Sequence, residues 1–220
     1  MAATLVRISF STLLRIKDDN RYVLFHSRSR PGAFGPPGGV VKYFPPAARV
    51  LERLGFREER GGPRAAVTKW DLRGFLPGGS LRRFVKWFDT GAYREEPAEC
   101  LRRELAEELG EVGLSALDGR VHGLAFTMVR TVVEGPEAVL GKPFEQLRRF
   151  DVYDLLAVDG AALALTRELI EAADDPSCSG VICATREEIA HGRHRLALIA
   201  PQSAFLIGAE RMMSDLPPVP

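Results

Sequence analysis

The chain contains no apolar run approaching the ~20 residues that cross a bilayer, so a helical membrane protein is not expected. Its opening, Met1-Ala2-Ala3-Thr4-Leu5-Val6-Arg7, lacks a charged region followed by a long apolar stretch and passes directly into a strand pattern; no signal peptide is expected. Cysteine is scarce. Cys100, Cys178 and Cys183 fall in no paired ligand spacing, which argues against a disulfide framework or a zinc site and for reduced thiols in a cytoplasmic setting. No internal repeat is visible, and charge of neither sign dominates, with a formal net charge of +1. What remains, 220 residues at 45% hydrophobic content, suffices to bury one substantial core, either as one domain or as a domain with a large insert.

The richest segment is Arg103-Glu104-Leu105-Ala106-Glu107-Glu108-Leu109-Gly110. Helical spacing gathers Glu104, Glu107 and Glu108 on one face and Leu101, Leu105 and Leu109 on the other, so the helix has a charged edge and a buried stripe. Three convergent carboxylates repel one another at neutral pH. A hard divalent cation cancels that repulsion, and magnesium characteristically shares such oxygen ligands with water and substrate phosphates. Pro97 beside Glu95 and Glu96 suits a helix entry, where a missing N–H costs nothing and negative charge complements the dipole.

The run from Glu95 to Gly110 is similar to the Nudix signature, which has a glycine, five residues, a glutamate, seven residues, and then Arg-Glu-apolar-x-Glu-Glu-x-Gly-apolar. Two positions depart from it: Asp89 stands where the glycine should be, and Glu111 where the final apolar residue should be. Upstream, Phe34-Gly35-Pro36-Pro37-Gly38-Gly39-Val40-Val41-Lys42 resembles the Pro-Gly-Gly opening of the Nudix box, with 55 residues between Gly39 and Glu95. The box therefore reads as split by an insertion, with Gly39 as its glycine. Pro77-Gly78-Gly79 is the rival, requiring a smaller insertion. Ser80, however, looks like the N-cap of a helix with apolar Leu81, Phe84, Val85 and Phe88, so that glycine pair fits better as the opening of this helix.

Together with Arg7-Ile8-Ser9-Phe10 and Leu81-Arg82-Arg83-Phe84-Val85-Lys86-Trp87-Phe88, these segments resemble the SMODS-associated Nudix family, found in bacterial gene neighbourhoods with nucleotide-second-messenger synthases. The resemblance implies an α/β fold, a Nudix-type α/β/α sandwich with a helical insertion splitting the box. The expected domain covers 1–220, with its core at about 5–42 and 91–213 and its insertion at about 43–90. It also implies a magnesium- or manganese-dependent pyrophosphohydrolase acting on a nucleotide or nucleotide derivative in an antiviral, second-messenger setting. Glu104, Glu107 and Glu108 would be metal ligands, Arg103 would orient them and pair with Glu95, and Gly38, Gly39, Arg82 and Lys86 would meet the ligand. The alternative is a Nudix-fold sensor that binds such a messenger, a nucleotide or oligonucleotide, without turnover. Candidate partners are a second copy of the chain and an effector or synthase encoded nearby; no membrane partner is expected.

The remaining pattern reads as α/β. Ile8 to Ile16 alternates and turns through Asp18-Asp19-Asn20 into Tyr22 to His26, a hairpin. Strand-like segments follow at about 121–133 and 150–158, helices at about 161–173 and 202–213, a strand at 180–184, and a frayed tail from Leu216. Thr185-Arg186-Glu187-Glu188 is a capping-box pattern. The insertion is basic: Tyr43 to Arg94 holds eleven Lys or Arg against five Asp or Glu. It is expected to form a helix-containing lobe over a ligand cleft, with amphipathic segments at 47–54 and 81–88. A general base would come from Asp151, Asp154, Glu168, Glu187 or Glu188, among which the sequence does not choose. The four histidines, at 26, 122, 191 and 194, suit surface or packing roles.

Overall fold

The computed structural model describes residues 4–28, 30–59, 70–157 and 160–216. Its strands are β1 (Leu5–Arg15), β2 (Lys17–Asp18), β3 (Arg21–His26), β4 (Ala33–Gly35), β5 (Gly38–Val40), β6 (Arg57–Glu58), β7 (Arg73–Pro77), β8 (Phe126–Ala138), β9 (Glu145–Leu155), β10 (Val181–Thr185), β11 (Arg193–His194) and β12 (Ala197–Ile199). Its α-helices are α1 (Ala48–Leu54), α2 (Leu81–Asp89), α3 (Pro97–Glu111), α4 (Gly160–Asp174), α5 (Arg186–His191) and α6 (Ala204–Ile207). One mixed sheet runs β6-β7-β1-β9-β8 with β5 also on β1; the other runs β10-β3-β4-β12-β11 with β2 on β3. Among the described residues no helix is long and apolar enough to cross a membrane.

The chain divides into two compact units. The first comprises Met1–Thr12, Gly39–Cys100 and Val133–Phe150. Here β7 pairs antiparallel with β1, Leu5 opposite Pro77 and Ser9 opposite Arg73, and β6 continues the ladder on β7. The stretch expected as a helical insertion thus carries strands as well as helices α1 and α2. Both helices bury their apolar positions, Leu51 and Leu54 from α1 and Phe84 and Phe88 from α2, in one cluster with Val6, Ile8, Phe10 and Leu76. Phe10 meets Phe84 and Phe88 edge-on at 5.2 and 4.7 Å, an arrangement that suits the ring quadrupoles.

The second unit comprises Leu13–Gly38, Leu101–Val132 and Asp151–Pro220. It contains the whole second sheet, in which β10 lies antiparallel to β3 and β12 parallel to β4. Leu101, Leu105 and Leu109 of α3, all at most 1% exposed, share a cluster with Leu165 and Leu169 of α4 and with Val23 and Phe25 of β3. Thr185 caps α5 as its sequence suggests: its hydroxyl accepts from the Glu188 N–H, and the Glu188 carboxylate accepts from the Thr185 N–H.

Several elements differ from their sequence expectation. Residues 115–123, read partly as strand, form a 3₁₀ helix, with Leu117 and Val121 turned into the core. That places His122 on a helical turn and starts the strand at Phe126. The expected helix over 202–213 is a 3₁₀ turn, Pro201–Ser203, followed by the single turn of α6. It stops because Gly208 is extended and the Arg130 guanidinium takes the carbonyls of Phe205 and Gly208, which a continuing helix would have bonded internally. Ser80 does precede α2 but gives no side-chain cap; its hydroxyl accepts from Arg83 and Gly78–Ser80 forms a 3₁₀ turn. The middle of the insertion, 60–69, and the end of the expected tail, 217–220, lie outside the described residues.

Candidate functional site

The helix α3 positions the acidic candidates by its own geometry: once the leucine stripe is buried, the residues between point away from the core. Glu107 is exposed and Glu104 and Glu108 half-buried. Arg103 holds two of these carboxylates, donating to Glu104 at 2.6 Å and to Glu107 at 3.5 Å. Glu108 has a different partner. Its Oε2 accepts the backbone N–H of Gly38 at 3.1 Å, which brings the Pro-Gly-Gly segment to the helix. Gly38 sits at φ 131, a conformation that L side chains rarely adopt, so a glycine is required where this N–H is presented.

The electrostatics are those of an acidic site that Arg103 and Arg28 compensate only in part. Burial pushes the Glu108 carboxyl well above the usual carboxylate range, and Glu104 adds the next largest push, followed by Glu111 and Glu107. The Gly38 N–H works the other way, favouring the charged form. Glu111, read from the sequence as a misplaced apolar position, therefore adds to the acidic field, while its own carboxylate pairs with Arg28 at 3.1 Å. The Gly38 amide escaped the sequence reading as a specific contact because a backbone donor carries no residue signature beyond the glycine that exposes it.

In the first unit Glu95 is 7% exposed and locked by backbone. Its Oε2 accepts the Lys42 N–H at 2.8 Å and its own N–H donates to the Lys42 carbonyl at 2.8 Å. Tyr43 and Arg94 form an antiparallel bridge, and the Phe44 N–H donates to the Tyr93 carbonyl. The chain thus leaves at Lys42–Phe44 and returns at Tyr93–Glu95 on one short ladder, bringing the residue three after Gly39 against Glu95 across the intervening stretch. Gly39 itself accepts from the Cys100 thiol through its carbonyl, at 3.9 Å. Arg82 and Lys86 are exposed on α2.

The carboxylates proposed as general bases all have partners. Asp151 is buried and accepts the Thr131 hydroxyl at 2.7 Å. Asp154 receives two bonds from Arg15, and Glu168 pairs with Arg120 at 2.8 Å. Glu187 accepts from Asn20, and Glu188 serves the cap of α5 and pairs with His194 at 2.9 Å. Hard oxygen donors are what magnesium or manganese would need, and the crowding around Glu108 is the kind of repulsion a cation relieves. Yet among the described residues no group of three or more acids, histidines or cysteines is arranged to hold a metal ion as it stands. The donor chemistry fits; the side chains, with Arg103 across Glu104 and Glu107, are not gathered.

The profile of the SMODS-associated NUDIX domain matches residues 5–207, nearly the whole chain. The chain belongs to this Nudix family. A mixed α/β architecture with two sheets is consistent with the Nudix sandwich that the sequence led us to expect. Membership gives the chain a nucleotide-related hydrolase or sensor role, and Nudix enzymes generally use divalent metals. Among curated proteins no match to the chain was found.

Proposed function

We propose that the chain is a divalent-metal-dependent hydrolase that cleaves a phosphoanhydride bond in a nucleotide or nucleotide derivative. The observation that carries this reading is the Glu108 carboxylate, half-buried among Glu104, Glu107 and Glu111 and fixed by the Gly38 N–H. A helix selected only for stability would not collect acids around a desolvated carboxylate, because each like charge costs free energy. Glu104, Glu107 and Glu108 would hold magnesium or manganese. Held by these carboxylates, such a cation would supply neutralisation of phosphate charge and activation of water. The chain's own groups supply placement: Gly38 fixes Glu108, Arg103 sets Glu104 and Glu107, and Glu95 ties the start of the helix to the strand after Gly39. Gly38, Gly39, Arg82 and Lys86 are the proposed ligand contacts. Water adds across the bridge, leaving two phosphate-containing fragments.

The ladder at Lys42 and Glu95 supports Gly39 as the glycine of a split box, with a core of about 5–42 and 91–213 and an insertion of about 43–90. The family's link to messenger synthases supports a bacterial antiviral setting in the cytoplasm, with a homodimer and a neighbouring effector or synthase as candidate partners. One observation favours the sensor reading: each of the five candidate bases is already engaged in a structural contact. A hydrolysis screen with and without magnesium over dinucleotides, nucleoside triphosphates and cyclic oligonucleotides, run beside a thermal-shift screen, separates the two. Metal-dependent products support the hydrolase; stabilisation by a nucleotide without products replaces it with the sensor.

A further inference from the structure

The first unit carries an unbalanced charge, of which the proposed carboxylate site draws only on Arg82 and Lys86. On α1 and α2 and on β6 between them, Arg49, Arg53, Arg57, Arg82, Arg83 and Lys86 are all exposed, and none has an ion-pair partner among the described residues. The acids of the same segments are spent elsewhere. Glu58 accepts the Tyr43 hydroxyl and the Trp70 N–H, Glu59 receives two bonds from Arg7, Asp89 pairs with Arg149 at 2.6 Å, and Asp71 is buried. Among the described residues of these segments Glu52 is exposed without an ion-pair partner, while Asp89, also exposed, is taken by Arg149.

The helices orient this charge. Arg49 and Arg53 are four residues apart on α1, as Arg82 and Lys86 are on α2, so each pair forms a row opposite the buried Leu51 and Leu54 or Phe84 and Phe88. The two helices touch each other and bury their apolar positions in the same core cluster, so both rows lie on the sides turned away from it.

A second observation is independent of charge. Phe44, just before α1, is 43% exposed, and Tyr93, just after α2, is 55% exposed. The Phe44 N–H donates to the Tyr93 carbonyl at 2.8 Å, so the two aromatic residues are neighbours on the ladder that closes this segment. Tyr93 stands at φ 60, a left-handed conformation costly for a bulky residue, and it is held there with its ring in solvent rather than in the aromatic core nearby. Exposed cation rows and solvent-facing rings in one unit are the two components of a single-strand nucleic-acid surface: charge follows the phosphates and rings stack on bases.

We infer that the outer face of α1 and α2, together with Phe44 and Tyr93, binds single-stranded polynucleotide. This inference does not depend on turnover at the carboxylate helix. The test is fluorescence anisotropy of the full chain with a short labelled single strand, as RNA and as DNA, and with the matching duplex, over a salt series. Single strands of either sugar are expected to bind at low salt and more tightly than the duplex; the better arm identifies the natural source. Arg49→Glu with Arg53→Glu should weaken binding at least about tenfold and make the log–log salt slope shallower by about 0.7 for each lost contact. Tyr93→Ala should weaken it about fivefold or more with the salt slope unchanged, and Phe44→Ala repeats the test at the neighbouring ring. Melting curves confirm that each variant is folded. No single-strand binding at low salt, equal or better duplex binding, or wild-type affinity in both ring variants would overturn the inference.

Discussion

Replacing Glu108 by Gln removes one negative charge while keeping size, helix propensity and an oxygen that can accept the Gly38 N–H. Glu104 and Glu111 lie at helical spacing from Glu108, and each such like-charge neighbour costs about 0.2–0.5 kcal/mol on a helix surface. Relief of the two is worth about 0.4–1 kcal/mol, a rise in Tm of about 1–4 °C for a chain of this length. The pH dependence has a definite sign. Burial and acidic neighbours raise the folded-state carboxyl above 4.5, so the contribution of Glu108 to wild-type stability is fully present below that value and lost as pH rises through the raised one. E108Q has no such loss, and its advantage in EDTA should widen with pH. Magnesium should reverse the order: wild type gains stability and E108Q gains little. If hydrolysis is observed, it should fall at least about a hundredfold in the variant, the scale of losing a group that stabilises transition-state charge. Thermal melts with EDTA and with magnesium, from acid to neutral pH, beside turnover assays, make the test. A variant with the wild-type magnesium response and full turnover would refute the reasoning.

Three further outcomes probe the frame. Arg15 grips Asp154 through two bonds and reaches the Leu206 carbonyl, with the two side chains 14% and 26% exposed, so Arg15→Met should cost about 2 kcal/mol and lower Tm by about 4–8 °C. In that background Asp154→Ala should add little; full additivity in thermal melts would mean the pair is not coupled. A Cβ on Gly74 would lie 2.2 Å from the Arg57 carbonyl oxygen, so Gly74→Ala must part β6 from β7, costing about 1–3 kcal/mol; an unchanged denaturation midpoint would contradict this. Burial pushes the Cys183 thiol up to about 11, with Arg21 partly opposing. Its alkylation at pH 8 should be much slower in the folded than in the unfolded chain, and its contribution to stability, complete below the ordinary value of 9.0, should fade as pH rises toward 11.

The Glu104 to Glu108 pattern was legible from sequence because helical periodicity alone puts acids and leucines on opposite faces, and the buried Leu101, Leu105 and Leu109 follow it. The Thr185 capping box was legible for the same reason: all its bonds are made within four residues. The strand expected from about 121 and the helix expected over 202–213 differ from the structure because periodicity there is ambiguous. Whether Val121 sits on a strand or a 3₁₀ turn depends on the core around it, and where α6 ends depends on Arg130, distant in sequence.

By itself the sequence determined the family, the acidic helix and the basic character of the intervening stretch, since composition and local spacing carry all three. Tertiary structure decided what each charge meets. Only folding sets the Gly38 amide on Glu108, closes the ladder between Lys42 and Glu95, and gives Asp151, Asp154 and Glu168 partners, while Arg49, Arg53 and Lys86 stay in water. The physical reason is range. Periodicity acts over one or two helical turns, whereas desolvation and charge pairing depend on segments that meet only when the chain has folded.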